Sequence, residues 1–131
     1  MFYDFTTDTK FLTRMAQEKY PVTPAVRMLR EHGVECTHHL YEYEEKGGTA
    51  VSARELGVTE HSVIKTLVME DDRKPPLLVL MHGDREVSTR NLARFLGMKT
   101  TSPCSPETAG RHSGYLVGGT SPFGLRKPMP V

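Results

Sequence analysis

Two apolar runs of strand character stand close together in the middle of this chain, and their pairing limits the folds open to it. Val63-Ile64-Lys65-Thr66-Leu67-Val68-Met69 and Leu77-Leu78-Val79-Leu80-Met81 are separated only by Asp71-Asp72-Arg73-Lys74-Pro75-Pro76 after Glu70. Branched aliphatic side chains suit a pleated, half-buried surface, and the charged and proline residues between them punctuate it. A connection this short joins antiparallel neighbours, because a parallel crossover needs a dozen residues or more. A central antiparallel hairpin follows, ended by His82-Gly83-Asp84.

Short helices flank that hairpin. Thr23-Pro24 supplies an N-cap and a proline at the first helical position, followed by Val26, Met28 and Leu29 and stopped by Gly33, so a helix is expected over about 24–32. Gly47-Gly48 breaks the chain, and Thr49 or Ser52 opens a short helix closed by Gly57. Ser88 caps a helix over about 89–96 that ends at Gly97, and Ser105-Pro106-Glu107 opens one reaching Arg111 or His112. Further strands are expected where Val34 to Tyr43 alternates loosely, at Met98 to Thr101, and at Tyr115 to Val117. Helices and strands are interspersed without a repeat or a βαβ rhythm. The pattern predicts an α+β domain with a mixed, mainly antiparallel sheet and flanking short helices. A length of 131 residues fits one such domain. Residues 1–22 carry only a weak helical stripe (Phe11, Leu12, Met15, Ala16) and are expected to be an extension.

Charge and cysteine content exclude several classes. No run approaches the roughly 18–20 apolar residues of a membrane span, and no secretory signal is visible, so a cytoplasmic protein with no membrane partner is expected. The net charge of +1 argues against a strongly basic nucleic-acid binder. Its distribution is uneven, since residues 86–131 hold six Lys/Arg against two Asp/Glu and residues 1–60 hold seven against ten. A polyanionic partner or a plain solvated basic face would each account for that C-terminal excess. Cys36 and Cys104 form no paired framework and are expected to be small semi-buried thiols in a reducing compartment. The six histidines lack metal-ligand spacing, so no metal and no cofactor is expected.

Two features carry candidate chemistry. Lys65 interrupts an apolar strand, where an ammonium is costly to bury unless it is paired or faces a cleft. It could hold a phosphate or carboxylate, act as a desolvated base, or snorkel outward to water. The second is Tyr115-Leu-Val-Gly-Gly-Thr-Ser-Pro-Phe-Gly-Leu-Arg-Lys127, whose Gly118 to Gly124 segment can bring backbone amides close to a phosphate or a developing oxyanion. It is not a P-loop, because Pro122 and Phe123 interrupt the required spacing, and a glycine-rich surface turn has the same composition. Tyr41 and His39 fall on one side of the expected strand and could line a pocket. No serine has a nucleophile-elbow context.

Taken in order, Thr23-Pro24-Ala25, His39-Leu40-Tyr41, Ala53-Arg54-Glu55-Leu56-Gly57-Val58, Val63-Ile64-Lys65-Thr66-Leu67, Leu92-Ala93-x-x-Leu96-Gly97 and Gly114-Tyr115-Leu116-Val117-Gly118-Gly119-Thr120-Ser121-Pro122-Phe123-Gly124 resemble the YbaK family of aminoacyl-tRNA deacylases. The Lys-Thr-Leu strand followed about fifty residues later by the Gly-Tyr-x-x-Gly-Gly-x-Ser-Pro-x-Gly loop is the specific part. The likeness is greatest to the Cys-tRNA(Pro)/Cys-tRNA(Cys) deacylase branch, and the family includes the editing insertion of prolyl-tRNA synthetases. The resemblance implies trans-editing hydrolysis of the ester of mischarged aminoacyl-tRNA, without a metal, with Lys65, Gly118 and Gly119 as the catalytic group. It places Tyr41, Thr66, Thr120, Ser121, Pro122 and Gly124 at the substrate and makes Arg126 and Lys127 candidates for meeting the tRNA end. Implied partners are the aminoacyl-tRNA acceptor end and prolyl-tRNA synthetase. A non-catalytic tRNA- or synthetase-binding module and a small-nucleotide-binding protein are the alternatives. Family members continue beyond the equivalent of Lys127-Pro-Met-Pro-Val131, so an editing domain over 23–131, truncated at its C-terminus, is expected.

Overall fold

The computed structural model describes residues 20–73 and 75–131, and the helical stripe expected at Phe11, Leu12, Met15 and Ala16 lies outside them. The central hairpin forms as expected. Strand β1 (Ile64–Asp71) pairs antiparallel with β2 (Pro76–His82) in a register running from Ile64 opposite His82 to Glu70 opposite Pro76. A third strand, β3 (Thr101–Pro103), joins the other side of β1 antiparallel, giving the order β2-β1-β3. Around this sheet lie α1 (Pro24–Glu31), α2 (Gly48–Leu56), a 3-10 turn at Glu60–Ser62, α3 (Thr89–Leu96) and α4 (Pro106–Ser113).

Local chemistry accounts for the helix ends. Thr23 Oγ1 accepts from the Val26 amide at 3.2 Å, Ser88 Oγ from Asn91 at 3.3 Å and Ser105 Oγ from Thr108 at 3.2 Å, satisfying amides that a first helical turn leaves without partners. Proline stands at the start of α1 and α4, where its missing N–H costs nothing. The core forms where β1 and β2 face α4. Val68 lies opposite Leu78 in the ladder, both are buried, and Cys104 and Ala109 close over them with Leu125 and Met129 packed alongside. Each large aliphatic group so buried contributes roughly 1.5–3 kcal/mol.

Three expected strands turn out differently. Val34 to Tyr43 is not a strand, and Leu40 and Tyr43 are 63% and 86% exposed. Among the described residues the strands that pair with β1 are β2 and β3, and the Leu78 amide on the outer edge of β2 donates to the Pro130 carbonyl at 2.8 Å. The strand expected at Met98 to Thr101 starts later, because the Met98 amide is used to close the end of α3 on the Ala93 carbonyl, and pairing begins where Thr101 meets Asp71. Tyr115 to Val117 forms a turn. The Tyr115 amide donates to Ser113 Oγ and the Gly119 amide to the Leu116 carbonyl, so the chain reverses where a strand was expected. At α2 the N-cap is Gly47 rather than Thr49 or Ser52, and Cys36 is exposed rather than semi-buried.

Candidate functional site

A cavity of about 560 Å³ opens beside β1. The hydrogen bond from the Cys104 amide to the Val68 carbonyl is where β3 ends its cover of β1, and nearer Ile64 no strand pairs with that edge. Because backbone groups alternate edges every second residue, those of Thr66 and Ile64 point the same way as the Val68 carbonyl, into the edge the cavity occupies. Because the cavity meets the strand at its edge and not over one face, residues of both parities along Val63 to Val68 line it. The opposite wall is Val51 and Ser52 of α2, Cys104 and Ala109 lie at the α4 end, and Val117, Gly118 and Thr120 come from the glycine loop.

Lys65 lines this cavity and is half-buried. Its Nζ donates to the Gly83 carbonyl at 3.2 Å, so the ammonium carries a polar partner into the cleft instead of extending to water. Tyr41 and Thr66 line the cavity too, and Tyr41 Oη shares a 2.6 Å hydrogen bond with Ser52 Oγ. Tyr41 thus reaches the cleft from an irregular segment, not from the expected strand. Five of the nine residues singled out in the sequence, Lys65, Tyr41, Thr66, Gly118 and Thr120, therefore share one cavity.

Gly119, Ser121, Pro122 and Gly124 do not line it. Ser121 Oγ accepts from the Phe123 amide at 3.2 Å and Tyr115 Oη donates to the Phe123 carbonyl at 2.7 Å, so these groups hold the shape of the loop itself. Gly124 has φ +64°, and a Cβ there would stand 2.5 Å from the carbonyl group of Pro24. Its amide donates to Met28 Sδ at 2.9 Å. Gly124 thus seats the loop's exit against the first turn of α1. Beyond it, the amides of Arg126 and Lys127 donate to the Ser113 and His112 carbonyls, which ties the two cations to the C-terminal end of α4.

Two titratable groups near the site are displaced from their ordinary ranges. Burial, reinforced by the charge and hydrogen bond of Glu70, pushes the Cys104 thiol up to about 11. Desolvation acts upward on Asp84, but the hydrogen bond and charge of His61, with Arg85 behind them, outweigh it and hold that carboxyl below its usual value. Among the described residues no three His, Cys, Asp or Glu groups are gathered as metal ligands. No helix among them is long and apolar enough to cross a membrane. Sequence reasoning missed Ser52, Gly83 and Thr49 as parts of the site, along with the open edge of β1. Their signal is tertiary, since each acts through a partner distant in the chain.

An α+β domain whose cleft sets one ammonium beside hydroxyls, open strand-edge amides and a glycine loop defines a module for an anionic or ester-bearing ligand. The chain belongs to the aminoacyl-tRNA editing domain family, whose model matches residues 44–131. It is 29% identical over 110 residues to EbsC of Enterococcus faecalis, to which Cys-tRNA(Pro)/Cys-tRNA(Cys) deacylase activity is ascribed, covering 83% of this chain and 67% of EbsC. It is 33% identical over 78 residues to the proline–tRNA ligase of Elusimicrobium minutum, covering 60% of this chain but only 13% of the ligase. The fold is similar to that of a crystal structure ascribed to a trans-editing enzyme for prolyl-tRNA synthetase, with a TM-score of 0.70 at 20% identity over 84% of this chain and 71% of that one. The antiparallel α+β architecture expected from the sequence is thus the fold of this family.

Proposed function

We propose that this chain hydrolyses, in trans, the ester that joins a wrongly attached amino acid to the 3′-terminal adenosine of tRNA, with Cys-tRNA(Pro) or Cys-tRNA(Cys) as substrate. The observation that carries this reading is the convergence of Lys65, Gly118 and Thr120 on one cavity at the open edge of β1. Residues 23–131 act as the editing unit, with prolyl-tRNA synthetase as a second partner suggested by the ligase relatives.

The cleft suits a reaction in which the protein positions and the substrate reacts. Lys65 holds the phosphate or ester of the terminal nucleotide, leaving it a fixed positive charge where negative charge develops. Gly118 and the Thr66 backbone offer amides to the aminoacyl carbonyl, Gly119 holds the turn through its amide bond to the Leu116 carbonyl, and Thr120 with Tyr41 bounds the amino-acid side. For a cysteinyl ester the substrate's own sulfur attacks its carbonyl carbon, the ester C–O bond breaks, the ribose oxygen takes a proton, and a thiolactone leaves that water can open. Proximity of sulfur and carbonyl within one bound residue supplies much of the rate, and exclusion of competing conformers is the protein's share. Ser121, Pro122 and Gly124 serve this site by shaping the loop.

The test is a deacylation panel with Cys-tRNA(Pro), Cys-tRNA(Cys), Ala-tRNA(Pro) and Pro-tRNA(Pro), run on the wild-type chain and on Lys65→Ala. Hydrolysis of a cysteinyl ester that falls by about 10²-fold or more in the variant is the expected result, the scale of losing one preorganised electrostatic group. Unchanged rates in Lys65→Ala would remove Lys65 from the mechanism. Acceptor-end binding with no hydrolysis of any substrate would make the chain a non-catalytic module.

A further inference from the structure

Gly83 is buried just past the end of β2, and a Cβ on it would stand 2.7 Å from the Glu60 carbonyl oxygen, 2.8 Å from Thr49 Cβ and 2.9 Å from Thr49 Oγ1. Its φ is not positive, so close approach alone requires glycine here. The Gly83 amide donates to the Val63 carbonyl at 2.7 Å, and its carbonyl is the acceptor for Lys65 Nζ. What the tight packing holds in place is therefore the anchor of the cavity lysine.

Thr49 and Glu60 are the walls that hold that anchor. Thr49 Oγ1 lies 2.7 Å from Glu60 Oε1 and 3.3 Å from the Gly83 carbonyl oxygen. A hydroxyl has one proton, and the shorter, charge-assisted contact takes it. That bond ties α2 to the 3-10 turn, the two walls between which Gly83 is packed, and so holds the Gly83 carbonyl where Lys65 Nζ meets it. A lysine side chain gives up rotamer entropy when it is fixed. Anchoring one of its N–H groups in advance removes part of that cost from substrate binding and leaves two donors for the ligand.

We propose that Thr49, Glu60 and Gly83 are positioning residues that fix the Lys65 ammonium in the cavity, an inference that rests on Lys65 as the group that meets the substrate. Thr49→Val keeps the shape and removes the hydroxyl that ties the two walls around Gly83 together, Thr49→Ser restores it, and Glu60→Ala removes the same tie from the other side. Gly83→Ala forces the loop outward by about 0.7 Å to reach ordinary contact distance.

Two readouts are taken: kcat/KM on Cys-tRNA(Pro), and NMR relaxation of the Lys65 Cε methylene, which reports its order without substrate. Thr49→Val, Glu60→Ala and Gly83→Ala are expected to lose about 10- to 100-fold in kcat/KM, the scale of a sub-ångström to 1 Å misplacement. The Lys65 order parameter should fall with them, and Thr49→Ser should recover both. If Gly83→Ala does not fold, the Thr49 pair carries the test. Wild-type order and kcat/KM in a folded Thr49→Val, beside an inactive Lys65→Ala, would overturn the positioning role while leaving Lys65 in place. A fully active Lys65→Ala protein would instead remove the reading beneath it, and the proposal with it.

Discussion

Three glycines of the loop carry different physical demands, and alanine at each separates them. Gly124 has φ +64°, and its Cβ position lies 2.5 Å from the Pro24 carbonyl carbon and oxygen and 2.9 Å from the Ala25 nitrogen, all backbone atoms that cannot rotate away. A left-handed alanine costs about 1–2 kcal/mol and overpacking against fixed atoms about 1–3 kcal/mol more, so Gly124→Ala should destabilise the fold by about 2–5 kcal/mol. For a domain of this size that is a drop in Tm of about 8–20 °C. Gly118 has φ +92° but open space around its Cβ, so Gly118→Ala should lose only the conformational part, about 1–2 kcal/mol. Gly119 has neither a positive φ nor a contact closer than 3.7 Å, and alanine there should stay within about 0.5 kcal/mol of wild type.

Thermal and urea denaturation of the three variants, followed by circular dichroism, gives the order of stabilities, and deacylation of Cys-tRNA(Pro) is measured on the same preparations. Gly118→Ala should lose far more activity than stability, because the residue stands in the cavity wall. Gly124→Ala should lose stability first, with activity per folded molecule retained below its transition. A Gly124→Ala protein that melts within about 2 °C of wild type while losing deacylation would refute this division. Gly124 would then meet the substrate, and the seat on α1 would not be what requires glycine. A Gly119→Ala protein as unstable as Gly124→Ala would refute the steric reasoning itself.

Other expectations follow from burial and charge. Leu78 is 1% exposed and packs with Val68, Cys104 and Ala109, so Leu78→Ala should cost about 2–5 kcal/mol, read as a lower urea midpoint at unchanged m-value. Cys104 is buried with its thiol pushed up to about 11 while Cys36 is exposed, so a thiol reagent at pH 8 should titrate one cysteine in the folded chain and two in denaturant. The raised Cys104 thiol also sets a sign: the folded state keeps a proton that the unfolded state has lost, so its stabilising contribution is whole below pH 9 and disappears as pH rises from 9 to about 11. Cys104→Ala should flatten that alkaline slope, measured as Tm against pH.

Legibility in this sequence follows the range of the interaction that fixes each element. The hairpin, the caps at Thr23, Ser88 and Ser105 and the helix stops at Gly57 and Gly97 all depend on residues within a few positions of one another, and each forms within a residue or so of where it was expected. Val34 to Tyr43 alternates as a strand should, but a strand also needs a partner brought alongside it, and here Tyr41 meets α2 through its side chain while β3 takes its place on β1. No local pattern reports that. The same limit governs the site. Lys65 was conspicuous because an ammonium in an apolar strand demands a reason, yet the reason lies in Gly83, eighteen residues away, held by Thr49 across another element. The glycine loop presents the converse case. Its composition announces a close approach of backbone to something, but the same letters serve two different partners, the cavity at Gly118 and the first turn of α1 at Gly124. Glycine marks where a side chain cannot stand, and only the fold decides whether a ligand or the protein itself fills the space.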